Sequence, residues 1–243
     1  MAVMSRNPKT GPRRLLRMLA LPLMAAAIVP ATADARILEL GQTAQQPTPS
    51  CPAKPCLAVS KTTGYQKRIG SVKNPFVVPE QGRIVAWSIT LGDPTAKQVK
   101  FFNTTLGGAP SAHITILRRK KKGFLKVVNE SPVHTLTPYL GETVQYPLLN
   151  SIYVKKGDTV ALTVPTWVPA LAVGAGDDTS WRASRPKGEC DDTSTQTSQD
   201  DLNDKVRYEC KYKTARLSYT ATFISSPQPS DEDEDEDEDD RRR

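Results

Sequence analysis

Histidine is scarce in this chain, and its scarcity limits the chemistry that the sequence can support. The 243 residues include only two histidines, His113 and His134. A hydrolytic triad needs a nucleophile, a base and an orienting acid in contact, and no G-x-S-x-G nucleophile motif is present. Two isolated histidines do not make a metal site either. The sequence therefore predicts no catalytic centre, no metal and no cofactor, and both histidines are expected to be ordinary surface or half-buried residues.

Long apolar runs are also lacking. Residues 18–29 form an apolar run of twelve residues, whereas a membrane-spanning helix needs about 20. Basic residues precede this run and the small residues Ala33 and Ala35 follow it, which is the order of a secretory signal. We therefore expect residues 1–35 to be a signal peptide for export through the general secretory route, with no stable membrane insertion after cleavage. A pair of arginines in the basic stretch leaves the twin-arginine route open.

The formal net charge of +7 hides two opposite regions. Subtracting the +4 of residues 1–35 and the −7 of residues 231–243 leaves +10 on the body between them. Residues 227–243 are expected to be a disordered tail, because an unbroken acidic run repels itself. The tail is read mainly as a solvating segment. A second interpretation is that it folds back on the basic body and competes with anionic partners; loose calcium binding is a third.

Five consecutive cations form the most basic local feature: Arg118, Arg119, Lys120, Lys121 and Lys122. Such a basic patch attracts phosphate or polysaccharide carboxylates over long range. The alternative is a charged hairpin tip that keeps a sheet edge soluble, and the glycine that follows favours a turn. Nucleic acid is not expected as the partner, because the protein is predicted to be exported and no aromatic residues alternate with the cations.

Cysteine is limited to four residues: Cys51, Cys56, Cys190 and Cys210. An even number in an exported chain indicates disulfide bonds, and four cysteines allow three pairings. The pairing that is local in sequence joins Cys51 to Cys56 and Cys190 to Cys210. A four-cysteine zinc site is the rival interpretation, but neither pair has the two-residue spacing usual for zinc.

Apolar runs of strand length alternate with turn residues between positions 57 and 224, and no window shows a helical period over a helix length. We count about nine strands, which predicts an all-β, antiparallel β-sandwich of jelly-roll type over residues 51–226. A flexible lead-in, residues 36–50, would precede it. The alternation further predicts one hairpin over residues 112–128 and a second over residues 151–164.

Two segments of this region, residues 76–84 (FVVPEQGRI) and 152–160 (IYVKKGDTV), carry a resemblance to known proteins. They resemble the strand-entry and hairpin patterns of secreted bacterial jelly-roll domains. The resemblance implies a fold class. It transfers no functional residue, because no site motif matches.

The best candidate ligand site in the sequence lies between two tryptophans. Trp167 and Trp181 flank a turn that contains Asp177 and Asp178, and Arg182 follows directly. An exposed indole ring stacks on the apolar face of a sugar, while aspartate and arginine bind hydroxyl or carboxylate groups. The alternative is that the tryptophans cap the core and the aspartates belong to a turn. Exposure of the rings decides between these two interpretations.

Three functional hypotheses remain. The first is a secreted, non-catalytic β-sandwich that binds an anionic extracellular or envelope polysaccharide. The second is a structural or interaction module that binds an envelope protein through its sheet surface or acidic tail. The third is a hydrolase with an unfamiliar site, although no predicted strand presents two carboxylates on one face as a glycosidase would require.

Overall fold

Antiparallel strands make up most of the structure, a computed structural model that describes residues 35–193, 195–199 and 201–226. The all-β class is confirmed. The described residues contain one α-helix, α1 (Ala96–Thr105), and fifteen strands rather than about nine, because strands of two to four residues are too short to show alternation. The strands are β1 (Ile37–Leu40), β2 (Val59–Ile69), β3 (Val72–Lys73), β4 (Gly82–Thr90), β5 (Ser111–Arg119), β6 (Leu125–Glu130), β7 (His134–Thr135), β8 (Thr143–Val154), β9 (Thr159–Val168), β10 (Leu171–Val173), β11 (Ser180–Ala183), β12 (Lys205–Val206), β13 (Cys210–Lys213), β14 (Ala215–Leu217) and β15 (Tyr219–Ser225).

The strands form two main sheets and one small ribbon. The small sheet has the order β1-β15-β4-β8. The large sheet has nine strands in the order β12-β6-β5-β9-β2-β11-β13, with β3 beside β2 and β7 beside β5. Strands β10 and β14 pair separately. Every strand pair is antiparallel, as the alternating sequence predicts for sheets with one buried face.

The core lies between the inner faces of the two main sheets. Trp87 and Phe223 of the small sheet belong to the same fully buried cluster as Ile114 and Leu162 of the large sheet. Burial of each such side chain contributes about 1.5–3 kcal/mol. The hydroxyl of Tyr219 crosses the core and donates to the carbonyl of Val160 at 3.0 Å. This packing fixes which residues of each strand face outward, and hence which are available to a ligand.

The two predicted hairpins have different outcomes. Strands β5 and β6 pair with Arg119 opposite Leu125, so the hairpin with the basic tip is confirmed. The second hairpin, over residues 151–164, is wrong: β8 pairs with β4 in the small sheet, whereas β9 pairs with β5 and β2 in the large one. The turn between β8 and β9 therefore arches from one sheet to the other. Turn residues indicate that the chain reverses but not which strands pair.

Two segments hold more structure than the sequence predicts. Helix α1 begins with a capping box, in which Thr95 and Gln98 bond reciprocally to backbone groups, and its Phe102 packs against Trp167. The T-x-x-Q pattern is the local signal for this helix start. The predicted lead-in, residues 36–50, is not simply flexible, because strand β1 pairs along β15. The backbone of β1 thereby gains hydrogen-bonded partners that a loop would lack.

Both disulfide bonds of the sequence-local pairing are present, Cys51–Cys56 and Cys190–Cys210. The first lies beside α1, in a cluster with Trp167. The second closes the excursion between β11 and β13. No helix in the described ranges is long and apolar enough to span a membrane. The predicted signal peptide, apart from Ala35, and the acidic tail lie outside the described residues.

Candidate functional site

A basic cleft of about 380 Å³ lies on the outer face of the large sheet. Five strands of that sheet supply part of its lining, and the β5–β6 turn and the excursion before β13 supply the rest. The lining residues are Tyr65, Lys67, Arg119, Lys120, Gly123, Phe124, Leu125, Thr159, Arg182 and Tyr208. Four of the ten are cations and none is a carboxylate.

The strand register brings these side chains together. Arg182 of β11 lies opposite Tyr65 of β2 on one side and opposite Lys211 of β13 on the other. Successive side chains of a strand point to opposite faces, so Tyr65 and Arg182 project outward while their neighbours Gln66 and Trp181 turn into the sandwich. The cleft is thus the outward face of the strands whose inward face builds the core.

The ionisation of Lys67 is opposed by its burial and by the cations around it. Burial lowers the pKa of the Lys67 ammonium, and the nearby charges of Arg119, Arg182 and Lys211 lower it further. Burial raises the pKa of the Tyr65 hydroxyl, an effect that the same two arginines oppose. Like charges gathered in a partly desolvated cleft repel one another. An anion bound among them would relieve that repulsion.

One carboxylate next to the lining, that of Asp158, is paired with a cation outside the cleft. Asp158 precedes the lining residue Thr159, but its side chain is buried and accepts two hydrogen bonds from Arg118, at 2.8 and 2.7 Å. The bond to Asp158 raises the pKa of the Arg118 guanidinium. The Asp158 carboxylate also accepts a hydrogen bond from the backbone N–H of Lys155 at 2.9 Å. Asp158 therefore anchors the arch between β8 and β9 and leaves the cleft positive.

The structure divides the basic patch that the sequence shows as one run. Arg118 is committed to Asp158, whereas Arg119 and Lys120 are exposed and line the cleft. Lys121 and Lys122 lie in a short 3-10 turn at the hairpin tip, and neither lines the cleft. Only two of the five residues therefore contribute to this site.

The excursion closed by Cys190–Cys210 forms one wall of the cleft. Tyr208 is buried on the outer face of the sheet, and its ring lies 5.4 Å from that of Tyr65. Its hydroxyl donates to Gln199 at 2.6 Å, and its carbonyl accepts from Arg182 at 2.7 Å. A second small apolar cluster, which includes Leu117, holds this wall against the sheet. The position of Arg182 is thus fixed by the fold of the excursion.

The tryptophans of the sequence-based site do not offer a stacking surface, which agrees with the alternative interpretation that they cap the core. Trp167 is fully buried. Its indole N–H donates to Asn103 at 3.0 Å and to the carbonyl of Gly108 at 2.8 Å. Trp181 is 4% exposed and stacks on Tyr212. Both rings are used in packing because indole burial removes a large apolar area from water.

The other members of that predicted site separate as well. Asp177 and Asp178 are exposed in the turn that precedes β11, and neither lines the cleft. Arg182 does line it, beside Arg119 and Lys120. One residue of the tryptophan segment therefore joins two residues of the basic patch. Sequence reasoning missed Tyr65 and Lys67, although their alternation on β2 is a signal that they share a face.

The two histidines are built into the structure. His113 is buried, with its Nε2 atom 3.8 Å from a carboxylate oxygen of Glu130. The His134 ring stacks on Tyr146 with 3.9 Å between ring centres, and burial lowers its pKa. Within the described residues, no group of three or more histidine, cysteine, aspartate or glutamate side chains is placed to hold a metal ion.

No protein-family model, curated protein or solved structure matches this chain. The geometry of the cleft is therefore the basis for the functional proposal.

Proposed function

We propose that the protein is a non-catalytic β-sandwich that binds an anionic polysaccharide in the basic cleft. One observation carries the proposal: four cations and two half-buried aromatic rings, Tyr65 and Phe124, line a single cleft whose ten lining residues include no carboxylate. Aromatic rings contact the apolar face of a sugar, and arginine and lysine bind its carboxylates. The volume falls within the range usual for ligand pockets.

The arrangement favours binding through several moderate contacts. Arg119 and Lys120 are exposed, so each contact with a ligand carboxylate is partly screened by water and salt. Lys67 and Arg182 are held by existing hydrogen bonds, to Asn74 and to the Tyr208 carbonyl. Because these two side chains are already ordered, they lose less conformational entropy when a ligand binds.

The proposal includes export. Arg36 is the first residue of the described domain to join the small sheet: its N–H donates to the Ser225 hydroxyl, and its carbonyl accepts from the Ser225 N–H. Cleavage after Ala35 would leave this pairing intact, and two disulfide bonds suit an oxidising compartment. We further propose that the fold belongs with the secreted jelly-roll domains, and its two antiparallel main sheets support this proposal. Sequencing the N-terminus of the protein secreted by its own cells should give Arg36.

Binding is tested with a short oligogalacturonate, whose charges are all carboxylates, by isothermal titration calorimetry. We expect R119Q/K120Q to weaken binding about tenfold, equivalent to about 1.4 kcal/mol. The matched control is K121Q/K122Q, which removes two positive charges from the same hairpin. Because Lys121 and Lys122 do not line the cleft, it should change affinity less than twofold.

Three further ligands define the specificity. A neutral oligosaccharide of equal length should bind far more weakly, and inorganic phosphate should bind only at high concentration. Equal weakening by the two double variants would contradict the assignment to the cleft. Tighter binding of a single-stranded oligonucleotide than of the oligogalacturonate would overturn the choice of polysaccharide.

A further inference from the structure

We propose that the acidic run of residues 231–240 occupies the basic cleft of the same chain and competes with the polysaccharide. The inference rests on the proposed function, since it names the regulation of that site. The run consists of ten consecutive aspartates and glutamates and contains no cation. Among the described residues, the lining of the cleft presents four cations and no carboxylate. Their charges are therefore complementary.

The strand register places Ser226, the last described residue, at the end of the sandwich that carries the arch between β8 and β9. Ser225, the last residue of β15, lies opposite Gly82, and Gly82 lies opposite Val154. Strand β8 ends at Val154, and the arch that follows leads to Asp158 in contact with Arg118. Two strand spacings of about 4.8 Å and one tight turn thus separate the end of β15 from the basic hairpin, roughly 20 Å.

The tail is long enough to cover this distance. Residues 227–243 are 17 residues, which span at most about 56 Å when fully extended. Four of them, residues 227–230, precede the first acid. When fully extended, the acidic run itself can span about 33 Å at 3.3 Å per residue. This is longer than the roughly 20 Å between the end of β15 and the basic hairpin. No part of the sandwich needs to move for the run to reach the cleft.

Further cations lie between the end of β15 and the cleft. Ser226 donates its N–H to the carbonyl of Gln81. The lining of a hollow there includes Lys155 and Lys156, and the one carboxylate among its described lining residues, Glu80, is ion-paired with Arg36. Both lysines are exposed. An acidic chain that leaves Ser226 therefore crosses a positive surface before it reaches Lys120 and Arg119.

Tethering turns weak ion pairs into effective competition. A single exposed ion pair contributes little, but a short flexible connection gives a local concentration in the millimolar range. The competition should be strongest at low salt, because the Debye length falls from about 10 Å at 0.1 M to about 3 Å at 1 M.

The first test uses the full chain with every aspartate and glutamate of residues 231–240 changed to asparagine or glutamine. This neutral-tail variant should bind oligogalacturonate three- to tenfold more tightly at low salt, and the gain should vanish near 1 M salt. Because the change also raises the net charge, it is repeated in the R119Q/K120Q background. There the gain should fall below twofold. An equal gain in both backgrounds would overturn the inference.

The second test does not need the polysaccharide. Carbodiimide treatment joins carboxylates to lysine amines in contact, and mass spectrometry locates the products. Crosslinks from the acidic run should concentrate on Lys67 and Lys120, with Lys97 and Lys100 of α1 as controls. Crosslinks spread evenly over all four lysines would overturn the inference. If these crosslinks form at the cleft but neither tail form binds oligogalacturonate, the tail contact holds and the proposed polysaccharide function fails.

Discussion

Two hollows of equal volume, about 380 Å³ each, lie on the outer faces of the two main sheets. The hollow on the small sheet is lined by hydroxyl and amide side chains such as Ser88, Thr90 and Gln145, with Glu39 as the one charged residue among its described lining. The cleft on the large sheet has four cations instead. The two hollows do not differ in volume. They differ in the charge of their lining and in the half-exposed aromatic rings of the large-sheet cleft. The difference arises because only the large sheet is covered by a disulfide-closed excursion and bordered by a basic turn.

The largest expected effect comes from opening the wall of the cleft. The C190S/C210S variant should lose about 3 kcal/mol of unfolding free energy, because the bond closes a separation of 20 residues. Urea unfolding followed by tryptophan fluorescence measures this loss. Oligogalacturonate affinity should fall with it, since Tyr208 and Arg182 depend on the excursion.

The other disulfide provides the control for this prediction. Cys51–Cys56 closes a separation of only 5 residues, so C51S/C56S should cost about 1 kcal/mol less in the chain-entropy model. It should also leave the cleft intact. Equal losses of affinity in both variants would mean that the excursion does not shape the site.

The next effect separates two neighbouring arginines. Changing Arg118 to glutamine leaves the buried carboxylate of Asp158 without its charged partner and should cost about 2 kcal/mol of unfolding free energy. Arg119→Gln, on the exposed rim, should change stability by less than about 0.5 kcal/mol and weaken oligogalacturonate binding instead. A stability loss of similar size in both variants would remove the distinction between anchor and ligand contact.

A smaller effect tests whether charge alone makes a site. Thr143→Lys with Gln145→Lys places two cations in the small-sheet hollow, in the R119Q/K120Q background that weakens the cleft. We expect the new site to bind oligogalacturonate, but with an affinity at least tenfold lower than that of the native cleft. The reason is that Tyr219, the aromatic residue in its lining, is only 3% exposed. Calorimetry measures the gain. Binding as tight as that of the native cleft would show that the aromatic rings are dispensable.

The smallest effect concerns pH. Burial and the nearby charges of Arg119, Arg182 and Lys211 lower the pKa of Lys67, and a bound anion favours its protonated form. Oligogalacturonate affinity should therefore decrease a few-fold as alkaline pH removes this proton. Titrations at constant ionic strength measure the change. Lys67→Arg should abolish the alkaline decrease, because a guanidinium stays protonated; an unchanged pH profile in this variant would exclude Lys67.

The sequence predicts more of the architecture than of the site. Alternation along β4, β5 and β9 follows from burial of one strand face. The all-β class and the basic hairpin can therefore be predicted from the sequence. The arch between β8 and β9 is not, because its Lys-Lys-Gly-Asp turn reads the same whether the next strand joins the same sheet or the opposite one. Helix α1 is not predicted by alternation or periodicity, because its helical period is weak. Its local signal is the capping box formed by Thr95 and Gln98.

The sequence by itself determined the all-β class and the charge opposition between the body and residues 231–240, since each depends on residues close together in the chain. It left three cysteine pairings open, and the structure selects the one that is local in sequence. Only the tertiary structure decided that Arg118 and Arg119 have different roles, that the tryptophans are buried, and that Arg182 joins Lys67 and Lys120. Those outcomes depend on which strands become neighbours. Strand pairing is selected by burial of the whole core, so residues more than 50 positions apart form one cleft without any shared motif.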